Sequence, residues 1–240
     1  MLNFVAKFSS PQDWLENLDK IGMKIKITVN LKINRWIKYL IFADLALLMG
    51  WGLIGPIFSI FVIEKVQGAT LVTVGAAASI YWILKSLLQL PIANFLDKKP
   101  GEKDDFYALI IGLFIASLAA FSFGLINRVW QLYLVQIIQA IGFALYVPSW
   151  SSLFSRHLDK ERVSFDWSLD STVAGLAAGV SGFLGGIAAK FFGFQSVFTA
   201  AAILTLASAF ILLLAPQLVL PRKTITNPLV EGRTPTDKKI

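Results

Sequence analysis

The chain has 240 residues, of which 56% are hydrophobic and 15% charged, with a formal net charge of +7 and a mean hydropathy of +0.67. Such values exclude an ordinary water-soluble domain and fit a polytopic membrane protein. With no cysteine and one histidine, His157, the chain has no disulfide, no thiol nucleophile and no multi-histidine metal site.

Residues 1–36 lack the long apolar run and small-residue cleavage site of a signal peptide. Ser10-Pro11-Gln12-Asp13 reads as a helix start, with a serine cap and proline in the first turn. Trp14, Leu15, Leu18 and Ile21 form an apolar stripe that Gly22 ends, and residues 23–34 alternate apolar and polar like a strand. The arm reads as a cationic element on the membrane surface, in contact with lipid, or as a mobile tail.

Six apolar spans follow, at 39–63, 69–96, 107–126, 129–154, 171–189 and 194–214, each long enough to cross a bilayer as a helix. Residues 37–220 are thus expected to form one all-α six-helix bundle, with a polar tail at 221–240. Lysine and arginine number seven up to Lys38, three in each of the second-to-third and fourth-to-fifth connections, and five in the tail. The other connections carry one each: Lys65, Arg128 and Lys190. By the positive-inside rule both termini are cytoplasmic. The absence of cysteine and of a cleavable leader fits a bacterial inner membrane.

The second span holds Lys85 near its middle, with Tyr81 and Gln89 one turn to either side on the same helix side. A lysine at mid-bilayer costs roughly 2.5–3.5 kcal/mol on insertion scales, so it needs a partner or a watery cavity. Two readings stand. In one, Lys85 lines a central cavity and binds an anionic group; in the other, it forms a fixed ion pair with Asp44 of the first span or Asp170 at the start of the fifth. Trp51, Tyr81 and Gln136 are further cavity candidates, whereas Gln139 fits packing better, and Trp82, Trp130 and Trp150 fit core or interfacial roles. Gly175 and Gly179, then Gly182 and Gly186, are small-x-x-x-small pairs suited to close helix packing. The segment 156–162 reads as a solvated loop, and Asp166 with Asp170 as dipole partners of a helix start rather than a metal pair.

A weak internal repeat is present. Pro56-Ile57-Phe58-Ser59 recurs as Pro148-Ser149-Trp150-Ser151 at an offset of 92 residues, and the span spacing agrees. Three spans repeated after an odd number of crossings must be inverted in the membrane, as in many transporters.

The connection after the second span, Leu96-Asp97-Lys98-Lys99-Pro100-Gly101-Glu102-Lys103, resembles the Gly-x-x-x-Asp-Arg-x-Gly-Arg-Arg loop of the major facilitator superfamily. Asp97-Lys98 stands for the Asp-Arg core, Ala93 for the first glycine and Pro100-Gly101 for Gly-Arg. Gln136-Ile137-Ile138-Gln139-Ala140-Ile141-Gly142 is similar to that family's fourth-helix Arg-x-x-Gln-Gly-x-Gly, without the arginine. Ser181-Gly182-Phe183-Leu184-Gly185-Gly186 keeps the last two glycines of Gly-Pro-x-x-Gly-Gly in the fifth helix of proton antiporters. Phe192-Gly193-Phe194-Gln195-Ser196-Val197-Phe198 resembles the family's lead-in to the sixth helix.

The resemblance implies one half of a twelve-helix transporter: six helices in a three-plus-three inverted repeat, with Asp97 and Lys98 in a gating loop. It implies alternating access for a small solute, with a homodimer or a second half-size chain completing the molecule. Two facing Lys85 residues would favour an anionic solute. No catalytic constellation, cofactor loop or nucleic-acid surface can be assembled, so no enzyme is expected. The competing readings are a six-helix membrane scaffold, or half of a longer transporter whose linker begins in the tail.

Overall fold

The computed structural model describes residues 33–98 and 101–214. The helix and strand expected before residue 33, and the tail beyond 214, lie outside it. The described residues form seven α-helices and one short 3-10 turn. Helix α1 (Arg35–Ile54), the turn Gly55–Ile57 and α2 (Phe58–Lys65) make the first span. Each later span is one helix: α3 (Leu71–Leu96), α4 (Lys103–Phe123), α5 (Val129–His157), α6 (Val163–Phe192) and α7 (Phe194–Leu213). All six spans are long and apolar enough to cross a membrane.

The six expected spans are present, but the helices outrun their apolar stretches. Helix α6 begins eight residues before the apolar run, at Val163, and α5 continues through His157. Hydropathy marks where a helix enters hydrocarbon, whereas backbone hydrogen bonding continues until a cap or a turn stops it. Arg156 and His157 therefore belong to the last turn of α5 and not to a loop.

Local signals explain the ends. The Thr70 hydroxyl accepts from Thr73 N–H, and the Thr73 side chain returns the bond, opening α3 with a capping box. The Gln131 side-chain Oε1 accepts from the backbone N–H of Asn127 at 2.9 Å and of Arg128 at 3.0 Å, opening α5. Gly193, at φ +80°, ends α6 and starts α7 by itself, a left-handed joint suited to glycine. A backbone bond of 2.9 Å from Gln67 to Asn127 links two connections on that same side of the bundle.

The packing has the symmetry of the repeat. Helix α1 lies against α7 and α6; α5, its counterpart 92 residues on, lies against α4 and α3; and α4 lies against α7. Exchanging the first three spans for the last three maps these pairings onto themselves. The fold is thus six membrane-spanning helices in a three-plus-three arrangement.

The same offset relates Gly50 to Gly142. A Cβ at Gly50 would lie 2.8 Å from the Ala201 carbonyl on α7, and one at Gly142 would lie 2.9 Å from Ala116 N on α4. It also relates Trp51 to Phe143, whose rings meet edge-on at 5.1 Å on the line between the two halves. Two apolar layers fill the bundle. Ile37, Leu40, Leu47, Phe106, Leu113, Leu153 and Phe154 form the layer toward the chain ends; Phe61, Val62, Phe123, Leu132 and Phe198 form the other. The Ser117 hydroxyl donates to the Ala202 carbonyl at 2.9 Å and joins α4 to α7. Helices α3 and α6, related by the repeat, are the least buried.

The glycine contacts lie elsewhere than the spacing predicts. A Cβ at Gly175, Gly179 or Gly186 would meet no atom within 4 Å, while Gly182 would face Pro56 Cγ at 3.3 Å. The closest approach of α1 to α6 instead uses Gly52, beside Ser181, and Gly185, whose Cβ would collide with the Leu53 carbonyl. Spacing marks small residues that share a helix side but does not tell which side meets a neighbour.

Gly112→Ala tests this packing. Its Cβ would sit 2.7 Å from the Gly142 carbonyl and 2.8 Å from Tyr146 N, so the variant is expected to lose about 1–3 kcal/mol. Gly179→Ala should be neutral or mildly stabilising, since the new methyl meets nothing and alanine favours helix. Thermal unfolding in detergent compares the two, and equal effects would contradict the assigned contacts.

Candidate functional site

A cavity of ≈ 200 Å³ opens among α1, the Gly55–Ile57 turn, α3 and α5. Helix α1 brings Trp51 to its wall, α3 brings Ala78, Tyr81 and Trp82, and α5 brings Gln136 and Gln139. At a rise of about 1.5 Å per residue, Tyr81 lies ten residues and Gln136 seven residues into their helices from the same face of the bundle. The cavity therefore sits at membrane depth. Phe143 supports the wall: its ring contacts Trp51 at 5.1 Å, Tyr81 at 6.0 Å and Tyr146 at 6.1 Å, each edge-on.

Two buried atoms of the wall lack hydrogen-bond partners, Trp51 Nε1 and Gln136 Oε1. The first is a donor only and the second an acceptor. Gln136 is 4% exposed, and an unpaired polar atom at such a position is costly, more so where the solvent is hydrocarbon. Gln139, expected to serve packing, also faces the cavity.

Lys85 is half-buried on α3, one turn beyond Tyr81, and does not line the cavity. Its Nζ lies 4.7 Å from the centre of the Trp82 ring and 5.9 Å from that of Tyr81, within cation–π range. Neither anticipated ion pair forms: among the described residues no carboxylate is within ion-pair distance of Lys85. Gln89, half-buried on the same helix side, is also outside the cavity wall.

Asp44 is 8% exposed and accepts a hydrogen bond from the Tyr146 hydroxyl on α5. Asp170 of α6 is close enough to act electrostatically on both. The buried carboxylate thus meets a tyrosine where sequence reasoning offered it a lysine. Tyr146 carries no charge at neutral pH, so nothing in its type or spacing marked it.

Toward the chain ends a second hollow of ≈ 460 Å³ is bordered by Asp97, Asp105, Ser152 and Arg156. Arg156 reaches Asp105 at 3.2 Å and also donates to the Gly101 carbonyl, while Ser152 donates to Asp105 at 3.0 Å. Gly101 is thereby tied to α5 through the same arginine that bridges to α4. Asp97 is the C-cap of α3, and it and Lys98 are exposed beside this network. His157 lies 3.7 Å from Glu102 and 4.9 Å from the Trp36 ring, and its carbonyl accepts from Asn34 at 3.2 Å. Asp166 accepts from Asp159 N–H at 3.1 Å, a structural cap, and the described residues hold no group of three metal-ligating side chains.

Comparison with known proteins places this geometry. The family model of the Major Facilitator Superfamily matches residues 40–238. An uncharacterized MFS-type transporter of Methanocaldococcus jannaschii is 23% identical over 151 residues, which are 63% of this chain. The match spans 38% of that relative's length.

Tyr146→Phe should destabilise the bundle by about 1–3 kcal/mol, because it strands a buried carboxylate. The double variant Tyr146→Phe/Asp44→Leu should recover most of that loss, since both polar partners are then gone. Thermal unfolding of the two variants measures the coupling; a double variant worse than the single would show that Asp44 has another partner.

Proposed function

The chain belongs to the Major Facilitator Superfamily, and from that premise we propose that it moves a small solute across a membrane by alternating access. The observation that carries the reading is the cavity at membrane depth, walled by Trp51, Tyr81, Trp82, Gln136 and Gln139. A concave, mostly aromatic wall with a few polar side chains is the form a small-solute site takes.

Alternating access requires a second bundle. The broad exposure of α3 and α6 supports one: Trp82, Ile83 and Leu87 on α3 and Val180, Phe183 and Leu184 on α6 are exposed, with Lys85 beside Trp82. We assign the second bundle to another copy of this chain, two-fold closure being the commonest arrangement; a separate half-size chain is the other source. Asp97 and Lys98 then gate from the connection that Arg156 anchors. The excess of cationic residues on the side of the chain ends supports cytoplasmic termini in a bacterial inner membrane. Solute movement, not chemical conversion, is the activity assigned.

Particle mass in mild detergent, by light scattering with the detergent contribution removed and cross-linking in native membranes, is expected at twice the 26.5 kDa of one chain. A monomer in both settings would overturn the two-copy assembly and direct the search to a partner chain. Lys85→Leu is expected to fold and assemble but to lose solute uptake in vesicles. Unchanged uptake would remove Lys85 from the mechanism.

A further inference from the structure

We propose that His157 is a proton-operated clasp: its imidazolium ties Glu102, at the head of α4, to the end of α5, and loss of one proton releases it. His157 is the chain's only histidine and sits in the last turn of α5. Its two ring nitrogens face acceptors. Nδ1 lies 2.9 Å from the Leu153 carbonyl, which has no hydrogen to give, so Nδ1 carries one. Nε2 lies 3.7 Å from Glu102 Oε2, a buried oxygen that receives no hydrogen bond from any other group. A neutral ring serves only one of the two. With its hydrogen on Nδ1 it turns the Nε2 lone pair toward a carboxylate, acceptor against acceptor. A second proton, on Nε2, removes that conflict and makes the contact an ion pair.

Three further features favour the charged ring. Both side chains are largely buried, at 13% and 14% exposed, and a carboxylate withdrawn from water needs a counter-charge. The end of α5 is the negative end of its helix dipole, where a cation is stabilised. The ring also lies 4.9 Å from the Trp36 ring, close enough for an aromatic face to attract a cation. From the start of α1 it meets only Trp36 and Asn34, neither of which titrates. Among the described residues Glu102 is the only carboxylate within ion-pair distance of it. Asp105 of α4 is taken by Arg156 and Ser152, and Asp159 beyond α5 accepts from Glu161 N–H. Consecutive residues of α5 thus hold consecutive residues before α4: Arg156 the Gly101 carbonyl, His157 the Glu102 carboxylate. Arginine stays charged, so its grip is permanent, whereas histidine changes charge between about pH 5 and 8. The sign follows. The clasp holds at low pH and is lost as pH rises through the titration of the ring.

The test uses the full chain in detergent, freed of any histidine tag. With one histidine in the chain, nitrogen-15 labelling of the imidazole gives the ring signals of His157 alone and reads its charge state. With no cysteine, Lys103→Cys, at the exposed first residue of α4, takes a single spin label whose mobility reports the join. Between about pH 5.5 and 8.5 the ring is expected to pass from doubly to singly protonated, and the label's mobile fraction to rise about twofold over the same steps. His157→Gln and Glu102→Gln, each in the labelled background, should leave the label mobile at every pH. A mobile fraction that ignores pH, a pH response kept by His157→Gln, or an immobile label beside a neutral ring would each overturn the proposal. The ring signals and the label decide the matter even where a variant fails to fold. No solute enters the measurement, so the clasp and the transporter reading stand or fall separately.

Discussion

Helices in hydrocarbon gain little from burying apolar side chains against one another, because lipid is as apolar as leucine. The bundle depends instead on close backbone approach, and two of the places where it is made are related by the repeat. Gly50 brings α1 against α7, and Gly142 brings α5 against α4. The two glycines are 92 residues apart and each clamps the third span of the other repeat, so one device used twice holds the three-plus-three arrangement together. Whatever else the chain places inside the bundle hangs on helix positions these contacts set.

The buried polar groups follow from that frame. With α1 and α5 fixed side by side, Trp51 meets Phe143 and Asp44 meets Tyr146. The same placement leaves Trp51 Nε1 and Gln136 Oε1 buried without a hydrogen-bond partner. The membrane interior therefore contains two kinds of polar group: those satisfied within the protein, which hold helices together, and those without a partner, Trp150 Nε1 and Ser208 Oγ among them. Lys85 falls between, drawn to aromatic faces at the outer side of α3 and placed where a second bundle would meet it.

Much of the fold was legible in the amino-acid order. Six apolar runs with short connections specify six spans, and the Pro56/Pro148 echo pointed to the repeat that the helix pairings display. The site was legible in part. Trp51, Tyr81 and Gln136 were singled out by chemistry and depth, and they share one cavity. Lys85, Asp44 and Gln89 were singled out for the same reasons and do not line it. Opposite charges in a membrane invite pairing on paper, but α1 and α3 are held apart by their separate partners, and a neutral tyrosine took the carboxylate. The Arg156–Asp105 bridge went unseen because the two residues are far apart in sequence and Arg156 read as part of a solvated loop. The α6 glycines show the same limit: periodicity gives a side, and only the neighbour gives it meaning.

The two repeats differ in one respect with mechanical weight. Pro56 sits in a 3-10 turn that interrupts the first span, whereas its counterpart Pro148 is carried inside an unbroken α5. Gly55, at that turn, lines the cavity and has open space beside it. Short 3-10 stretches within a span are natural points of bending. The chamber thus has one jointed wall and one stiff wall. Flexure at the joint alters the volume of the chamber while the glycine clamp between α5 and α4 stays seated, so a nearly symmetric ancestry yields a vessel that yields on one side only.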